Sequence, residues 1–327
     1  MRLLIGVSLL LALSLLHLMS GARPIPPWDI WHAFTEYDGK NYAHVIVIYQ
    51  RLTRLVVAIS LGAMLGLAGY ILQKLFRNDL VSPSTLGINS GASAFTIMAV
   101  YFLGNGVISL FWPALIGAIA ALFLTFYAAN LLGSGQKDPL NLALGGMISS
   151  SLFAGIATFI LSLDPDKFGQ IISWLVGDIG IFDYQTLAYF WPVALVCVLI
   201  LFLLSRSIDI LTLGHDQAAA MGLSPQKVQA MALACSVILS VVAVTVSGPI
   251  GFIGLVVPHI VRLLVKDYGR QALVWVMLLG SCLLTSADII ARTIFAPQLL
   301  NVGTVMALFG GLSFLLIILV VLRRRQC

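Results

Sequence analysis

Charged side chains are scarce in this sequence. Asp, Glu, Lys and Arg make up 9% of its 327 residues, whereas 60% are hydrophobic and the mean hydropathy is +1.03. In soluble domains roughly a quarter of all residues are charged, so this composition excludes a soluble core of this size. Runs with almost no charge, each of about 17 to 25 residues, recur along the whole chain, and this is the length that crosses a bilayer as a helix.

Ten such runs predict an all-α integral membrane protein with about ten transmembrane helices. The first run is longer than the apolar core of a signal peptide, so we interpret it as an uncleaved first helix. We expect the chain to form a single transmembrane domain over residues 1–327. The predicted spans are residues 3–20, 53–73, 86–104, 110–132, 140–163, 187–205, 227–247, 249–265, 272–291 and 301–322.

Features of an enzyme or of a nucleotide-binding subunit are missing as well. The sequence has no GxxxxGK[ST] phosphate loop, its five histidines show no metal-ligand spacing, and three of its four cysteines lie inside apolar runs. We therefore expect no catalytic residue, no metal site, no disulfide framework and no cofactor in this chain. Any ATP must then be hydrolysed by another chain.

Ionisable side chains are also missing from the middle of the membrane, where an ion-coupled carrier would bind its ion. Asp288 and Arg292 come nearest, and they lie at the end of a predicted span. Their i, i+4 spacing favours a local ion pair on one helical face. A secondary carrier or channel is therefore the weaker interpretation.

The few basic residues orient the predicted spans. With both termini in the cytoplasm, 12 of the 18 lysines and arginines lie inside and 6 outside, as the positive-inside rule requires. The acidic residues divide the other way, 5 inside and 8 outside. This asymmetry accounts for the net charge of +5, so no nucleic-acid partner is needed to explain it.

Small residues at helical spacing mark two spans, the second and the eighth. Small residues three to four positions apart let helix backbones approach closely. We predict close helix packing within the subunit at these positions, and a substrate-lining role is the alternative. The positions are Gly62, Gly66 and Gly69 in the second span and Gly248, Gly251 and Gly254 at the start of the eighth.

A polar segment, residues 206–226, separates two almost purely apolar runs. Gly214 opens its central part, Asp216 favours the positive end of a short helix, and Gly222 is suited to end that helix. A helix of about seven residues is not stable alone in water. It needs a surface to pack on, either within its own subunit or on a docked partner.

Four motifs, in this order, resemble the iron-siderophore, haem and cobalamin permeases of binding-protein-dependent ABC importers, the FecCD/BtuC type. They are GAMLGLAGYILQKLFRNDLVSPSTLGINSGA at 62–92, LGHDQAAAMGLS at 213–224, SGPIGFIGLVVPHIVR at 247–262 and ADIIAR at 287–292. The resemblance implies a type II ABC importer permease fold in the bacterial inner membrane. It also implies a dimer, identical or homologous, around a central pathway.

The partners implied by this resemblance are two cytoplasmic ABC ATPase subunits, which bind the ATP, and a periplasmic or surface substrate-binding protein. Ferric-siderophore is the expected substrate, and haem and cobalamin are the alternatives. The chain departs from the family at Thr53, Asp79 and Leu312, where proline is usual. Both a homodimer and a heterodimer with a sister subunit therefore stay open.

The resemblance also assigns roles to individual residues. Arg51, Arg54 and Arg292 are expected to dock the binding protein, with helix anchoring as the alternative for the first two and the Asp288 ion pair for the third. Asn78 and Leu80 are expected near the cytoplasmic gate, although a positive-inside loop would look similar. The residues expected to couple to the ATPase are Gly214, His215, Asp216, Ala219 and Gly222.

Overall fold

The computed structural model describes residues 2–21, 23–104, 110–133, 139–164, 171–179, 184–265, 269–296 and 298–326, and these residues form helices without any strand. Lys137, Lys167 and Lys266, which count in the division of basic residues, and Cys327 lie outside the described residues. The helices are α1 Arg2–Met19, α2 Pro27–Thr35, α3 Tyr42–Ile46, α4 Leu52–Phe76, α5 Ile88–Leu103, α6 Phe111–Leu131, α7 Pro139–Leu163, α8 Ile171–Val176, α9 Tyr184–Leu211, α10 His215–Ala220, α11 Pro225–Ser247, α12 Ile253–Leu264, α13 Gly269–Thr293 and α14 Val302–Gln326.

Ten apolar helices in the described part of the chain correspond to the ten predicted spans. Six are long enough to cross a membrane: 42–76, which joins α3 to α4, and those within α6, α7, α9, α11 and α13. The other four are shorter apolar helices in α1, α5, α12 and α14. The predicted fold class, an all-α membrane protein with about ten spans, is confirmed.

The starts of the second and eighth spans differ most from the prediction. The second span begins earlier, because a π-helical turn at Val47–Arg51 joins α3 to α4 without a break. The eighth begins later, at Ile253 rather than 249. Gly248 ends α11 with a φ of 72°, and Phe252 precedes α12 with a φ of 68°, so the intervening residues leave the helix.

Helix α4 is the central element of the fold. Most of its side chains are buried, and it packs chiefly against α13, with α11, α12 and α9 also in contact. By contrast, α7 and α9 expose many apolar side chains, as lipid-facing helices do. Two of the predicted docking arginines, Arg51 and Arg54, lie at the N-terminal end of α4, and the predicted gate residues follow its C-terminal end, so this buried helix connects both candidate regions.

The three predicted glycines of α4 lie where other backbones come close. A Cβ on Gly62 would meet the carbonyl of Gly280 in α13, and a Cβ on Gly69 would meet the carbonyl of Gly254 in α12. Gly66 also faces α13. Because these neighbours are backbone atoms, they cannot move aside as a flexible side chain would.

The two predicted glycines before α12 differ in how closely other atoms approach them. A Cβ on Gly248 would meet the carbonyl of Trp174 in α8. A Cβ on Gly251 would have no atom within 4 Å. Close packing therefore gives no reason for glycine at position 251.

Substitution of the α4 glycines is expected to loosen the fold. Gly62→Ala and Gly69→Ala should each destabilise the protein by about 1 to 3 kcal/mol, because the added methyl group forces two helices apart. Gly155 of α7 is the matched control, since a Cβ there meets no atom within 4 Å. Thermal unfolding in detergent measures the effect, and equal melting temperatures for Gly69→Ala and Gly155→Ala would contradict the packing account.

Candidate functional site

The N-terminal end of α4 forms one wall of a cavity of about 610 Å³. The structure brings all three predicted docking residues to this cavity. Its lining contains four arginines and, within the described part of the chain, no acidic residue. The lining residues are Gly21, Arg23, Tyr42, Ile46, Tyr49, Gln50, Arg51, Thr53, Arg54, Ile179, Arg292 and Leu299.

Behind the cavity wall, the carboxylate of Asp288 is fully buried and holds three helices together. Its Oδ1 accepts from Nε and Nη2 of Arg54 in α4, at 2.8 and 2.7 Å. Its Oδ2 lies 2.7 Å from Nε2 of His17 in α1 and 3.0 Å from Nε of Arg292 in its own helix. A buried charge is costly unless it is paired and hydrogen-bonded, and Asp288 meets that condition through these contacts.

Two of the arginines also hold the C-terminal end of α1. Nη1 of Arg51 donates to the carbonyls of Leu18 and Met19 at 2.6 and 2.8 Å, and Nη2 donates to that of Arg23 at 2.5 Å. Nη2 of Arg292 donates to the carbonyl of His17 at 3.2 Å. The last carbonyls of a helix lack partners within it and form its negative end, so guanidinium groups suit this position.

These contacts separate the roles of the three predicted arginines. Arg51 is 5% exposed, and its Nη atoms donate to carbonyls at the end of α1 and of the nearby Arg23, as the anchoring alternative would require. Arg292 makes the expected i, i+4 pair with Asp288. Arg54 keeps a 12% exposed side chain and also lies 3.7 Å from Asp178, near the end of α8.

Sequence reasoning missed His17 and the link from Arg54 to Asp288. The available signal was a histidine inside an otherwise apolar run. A buried histidine at such a position needs a polar partner, but the sequence does not identify a partner 271 residues away.

At the other end of the molecule, α10 stands out from the surface between α9 and α11. Gly214 and Gly222 flank it with φ values of 138° and 82°, in the region that favours glycine. The side chains of His215, Asp216 and Ala219 are exposed, whereas Ala218 is buried and attaches the helix to the subunit. The predicted coupling residues thus present an open face.

The loop after α4, residues 77–80, lies at the same end and is called the gate loop below. Arg77 ends α4 in the left-handed conformation with a φ of 48°. Oδ1 of Asn78 accepts from the amide of Leu80 at 3.0 Å. Both Asn78 and Leu80 line a second cavity of about 480 Å³, whose opposite wall comes from α7. The predicted gate residues therefore border a recess between the gate loop and α7.

Residues 9–320 of the chain match the FecCD transport family. The chain is 34% identical to the probable siderophore transport system permease protein YfiZ of Bacillus subtilis over 86% of its length and 84% of that protein. It is 34% identical to the ferric enterobactin transport system permease protein FepD of Escherichia coli, covering 93% of this chain and 90% of FepD.

A solved structure of an ABC transporter of metal-chelate type, in an inward-facing conformation, also matches the fold. Its TM-score is 0.80 at 27% identity, and the match covers 97% of both chains. The similarity therefore extends over the arginine cavity, the gate loop and α10 alike.

Proposed function

Because this chain belongs to the FecCD transport family and is an ABC importer permease, we propose that it forms half of the pathway by which a ferric-siderophore crosses the bacterial inner membrane. The family match over residues 9–320 carries this proposal. The names of YfiZ and FepD support a ferric chelate as the substrate. Haem and cobalamin are the alternatives, and the second subunit is identical or homologous.

Uptake by cells tests the substrate. A strain lacking this gene should lose uptake of radiolabelled ferric-siderophore and regain it with the wild-type gene. Haem and cobalamin uptake in the same strain serve as parallel measurements. Loss of only haem or only cobalamin uptake would contradict the siderophore assignment and leave the importer assignment standing.

The permease itself is not an enzyme, and we place ATP binding and hydrolysis on two cytoplasmic ABC subunits. The exposed face of α10 supports this arrangement, since a helix of six residues with polar side chains stands out between two apolar helices. In this proposal α10 docks in a groove of the ATPase. No cofactor is assigned to this chain.

The arginine cavity is our candidate for docking the binding protein. Four arginines line it, and the neighbouring acids, Asp288 and Asp178, are already paired with Arg54. The cavity therefore offers a positive surface to acidic side chains. Arg51, Arg54 and Arg292 shape and charge its wall, while the exposed Arg23 lies nearest to an approaching partner.

Charge reversal at the rim tests docking without breaking the interior. Arg23→Glu should weaken capture of the loaded binding protein by about tenfold at low salt, because like charges then face each other. Arg51→Glu is unsuitable alone, because it also removes the cap of α1. Arg270→Glu, exposed on α13 at the other end of the molecule, is the control. Equal affinity for Arg23→Glu and wild type would contradict docking at this cavity.

Both termini are proposed to lie in the cytoplasm, as the distribution of basic residues indicates. Single cysteines introduced at exposed positions in 24–48 should react with an impermeant thiol reagent from the periplasm. Asp216→Cys should react with the same reagent only after the membrane is permeabilised. A background without the native cysteines is needed. Periplasmic labelling at 216 would overturn the orientation and the coupling role together.

A further inference from the structure

Between the gate loop and the polar segment 206–226 lies a set of charged contacts that the proposed function does not use. Of its members, sequence reasoning singled out Asp79, as a position where the family usually has proline. They lie where the C-terminal ends of α4, α9 and α12 meet the start of α13. The side chains involved are those of Gln73, Lys74, Arg77, Asp79, Asp209 and Arg262.

The central contact is an ion pair between α4 and α9. Nζ of Lys74 donates to Oδ1 of Asp209 at 2.5 Å, and the lysine side chain is only 6% exposed. Oδ2 of Asp209 accepts from the amide of Gly269 at 2.7 Å, which ties α13 to the same carboxylate. A buried ammonium group requires a close counter-ion, so α4 cannot shift relative to α9 here without a large cost.

A second contact joins the gate loop to the polar segment directly. Nη2 of Arg77 donates to the carbonyl of Leu211 at 2.7 Å. Arg77 is the first residue of the gate loop, and Leu211 is three residues before Gly214, which opens α10. Through this hydrogen bond, only the residues between Leu211 and Gly214 separate the gate loop from α10.

The far side of the gate loop is held to α12. Nη1 of Arg262 lies 2.8 Å from Oδ1 of Asp79, and Nη2 of Arg262 donates to Oε1 of Gln73 at 2.5 Å. At the position of Asp79 the family usually has proline, and a proline side chain could not pair with Arg262. The gate loop is thus attached both to the polar segment and to α12.

We propose that the Lys74–Asp209 ion pair and the Arg77–Leu211 hydrogen bond transmit movement of α10 to the gate loop. The proposal rests on the proposed function, which places the ATPase at α10 and the gate at Asn78 and Leu80. Both contacts connect ends of long helices, and such packed elements move as units rather than deforming gradually. A displacement of α10 then shifts the gate loop in the same step.

The first test removes the ion pair of this link without leaving a buried charge unpaired. In proteoliposomes that contain the permease, its ATPase and its binding protein, the double variant Lys74→Met, Asp209→Asn should still show hydrolysis stimulated by the loaded binding protein. Transport per ATP hydrolysed should fall about tenfold, the size of a typical coupling between sites. Arg270→Met removes an exposed charge beside Gly269 and should behave as wild type.

A second variant guards against misfolding of the first. Arg77 is exposed, and among the described residues its side chain bonds to Leu211, so Arg77→Met removes that bond. A spin label at position 80 should then move less on nucleotide binding than in the wild type. Normal transport per ATP in the double variant, or unchanged label movement in Arg77→Met, would overturn the link.

The coupling assignment is tested separately by Asp216→Lys. If Asp216→Lys leaves both hydrolysis and transport normal, the proposed function fails at α10. If Asp216→Lys is inactive while the double variant couples normally, only the link is wrong.

Discussion

Asp288→Ala is expected to destabilise the protein by about 3 to 5 kcal/mol, because it leaves the buried guanidinium groups of Arg54 and Arg292 without their counter-ion. It also frees His17 of α1 from its partner. Helix α1 should then detach more readily from α4 and α13. The yield of folded protein in the membrane and its thermal unfolding in detergent measure this change.

Asp178→Ala is the matched control. Asp178 lies 3.7 Å from the same Arg54, but its side chain is 19% exposed. A partly exposed pair is typically worth about 0 to 1 kcal/mol, so this variant should remain close to wild type. Equal stability of Asp288→Ala and Asp178→Ala would show that the Asp288 contacts do not hold the three helices together.

Variants of α10 are expected to abolish transport while the subunit still inserts. Asp216→Lys places a positive charge at the positive end of the helix and alters its exposed face. Gly222→Val forces a β-branched residue into a φ of 82°, which disturbs the end of α10. Uptake and ATP hydrolysis stimulated by the loaded binding protein should both fall to background.

Gly251→Ala provides a control for glycine replacement in general, since an added Cβ there meets no atom within 4 Å. Its uptake should match that of the wild type. If Asp216→Lys and Gly222→Val both retain normal uptake, α10 has no coupling role.

The helices could be predicted from the sequence because their cause is local. A membrane-spanning helix needs an apolar run, and each of the ten predicted runs contains an apolar helix, six of them long enough to cross a membrane. The i, i+4 pair of Asp288 and Arg292 was predictable for the same reason. The late start of α12 was not, because it follows from the positive φ values of Gly248 and Phe252, which interrupt the helix between α11 and α12.

The remaining partners of the site could not be predicted, since they join distant parts of the chain. Lys74 and Asp209 are 135 residues apart, and Arg51 is 33 residues from the Leu18 carbonyl that it caps. Neither pair has a characteristic spacing. Only the packing of α1, α4, α9 and α13 brings these groups together, and so the arginines assigned to docking also anchor helices.

Purified components test the central claim most directly. The measurement is accumulation of radiolabelled ferric-siderophore in proteoliposomes that contain this permease, its ATPase and the loaded binding protein. If the chain is an importer permease, accumulation requires all three components and ATP on the side of the membrane where the ATPase lies. An imposed proton or sodium gradient should not change the amount accumulated. Accumulation driven by such a gradient, without ATP or the ATPase, would contradict the account and identify the chain as a secondary carrier.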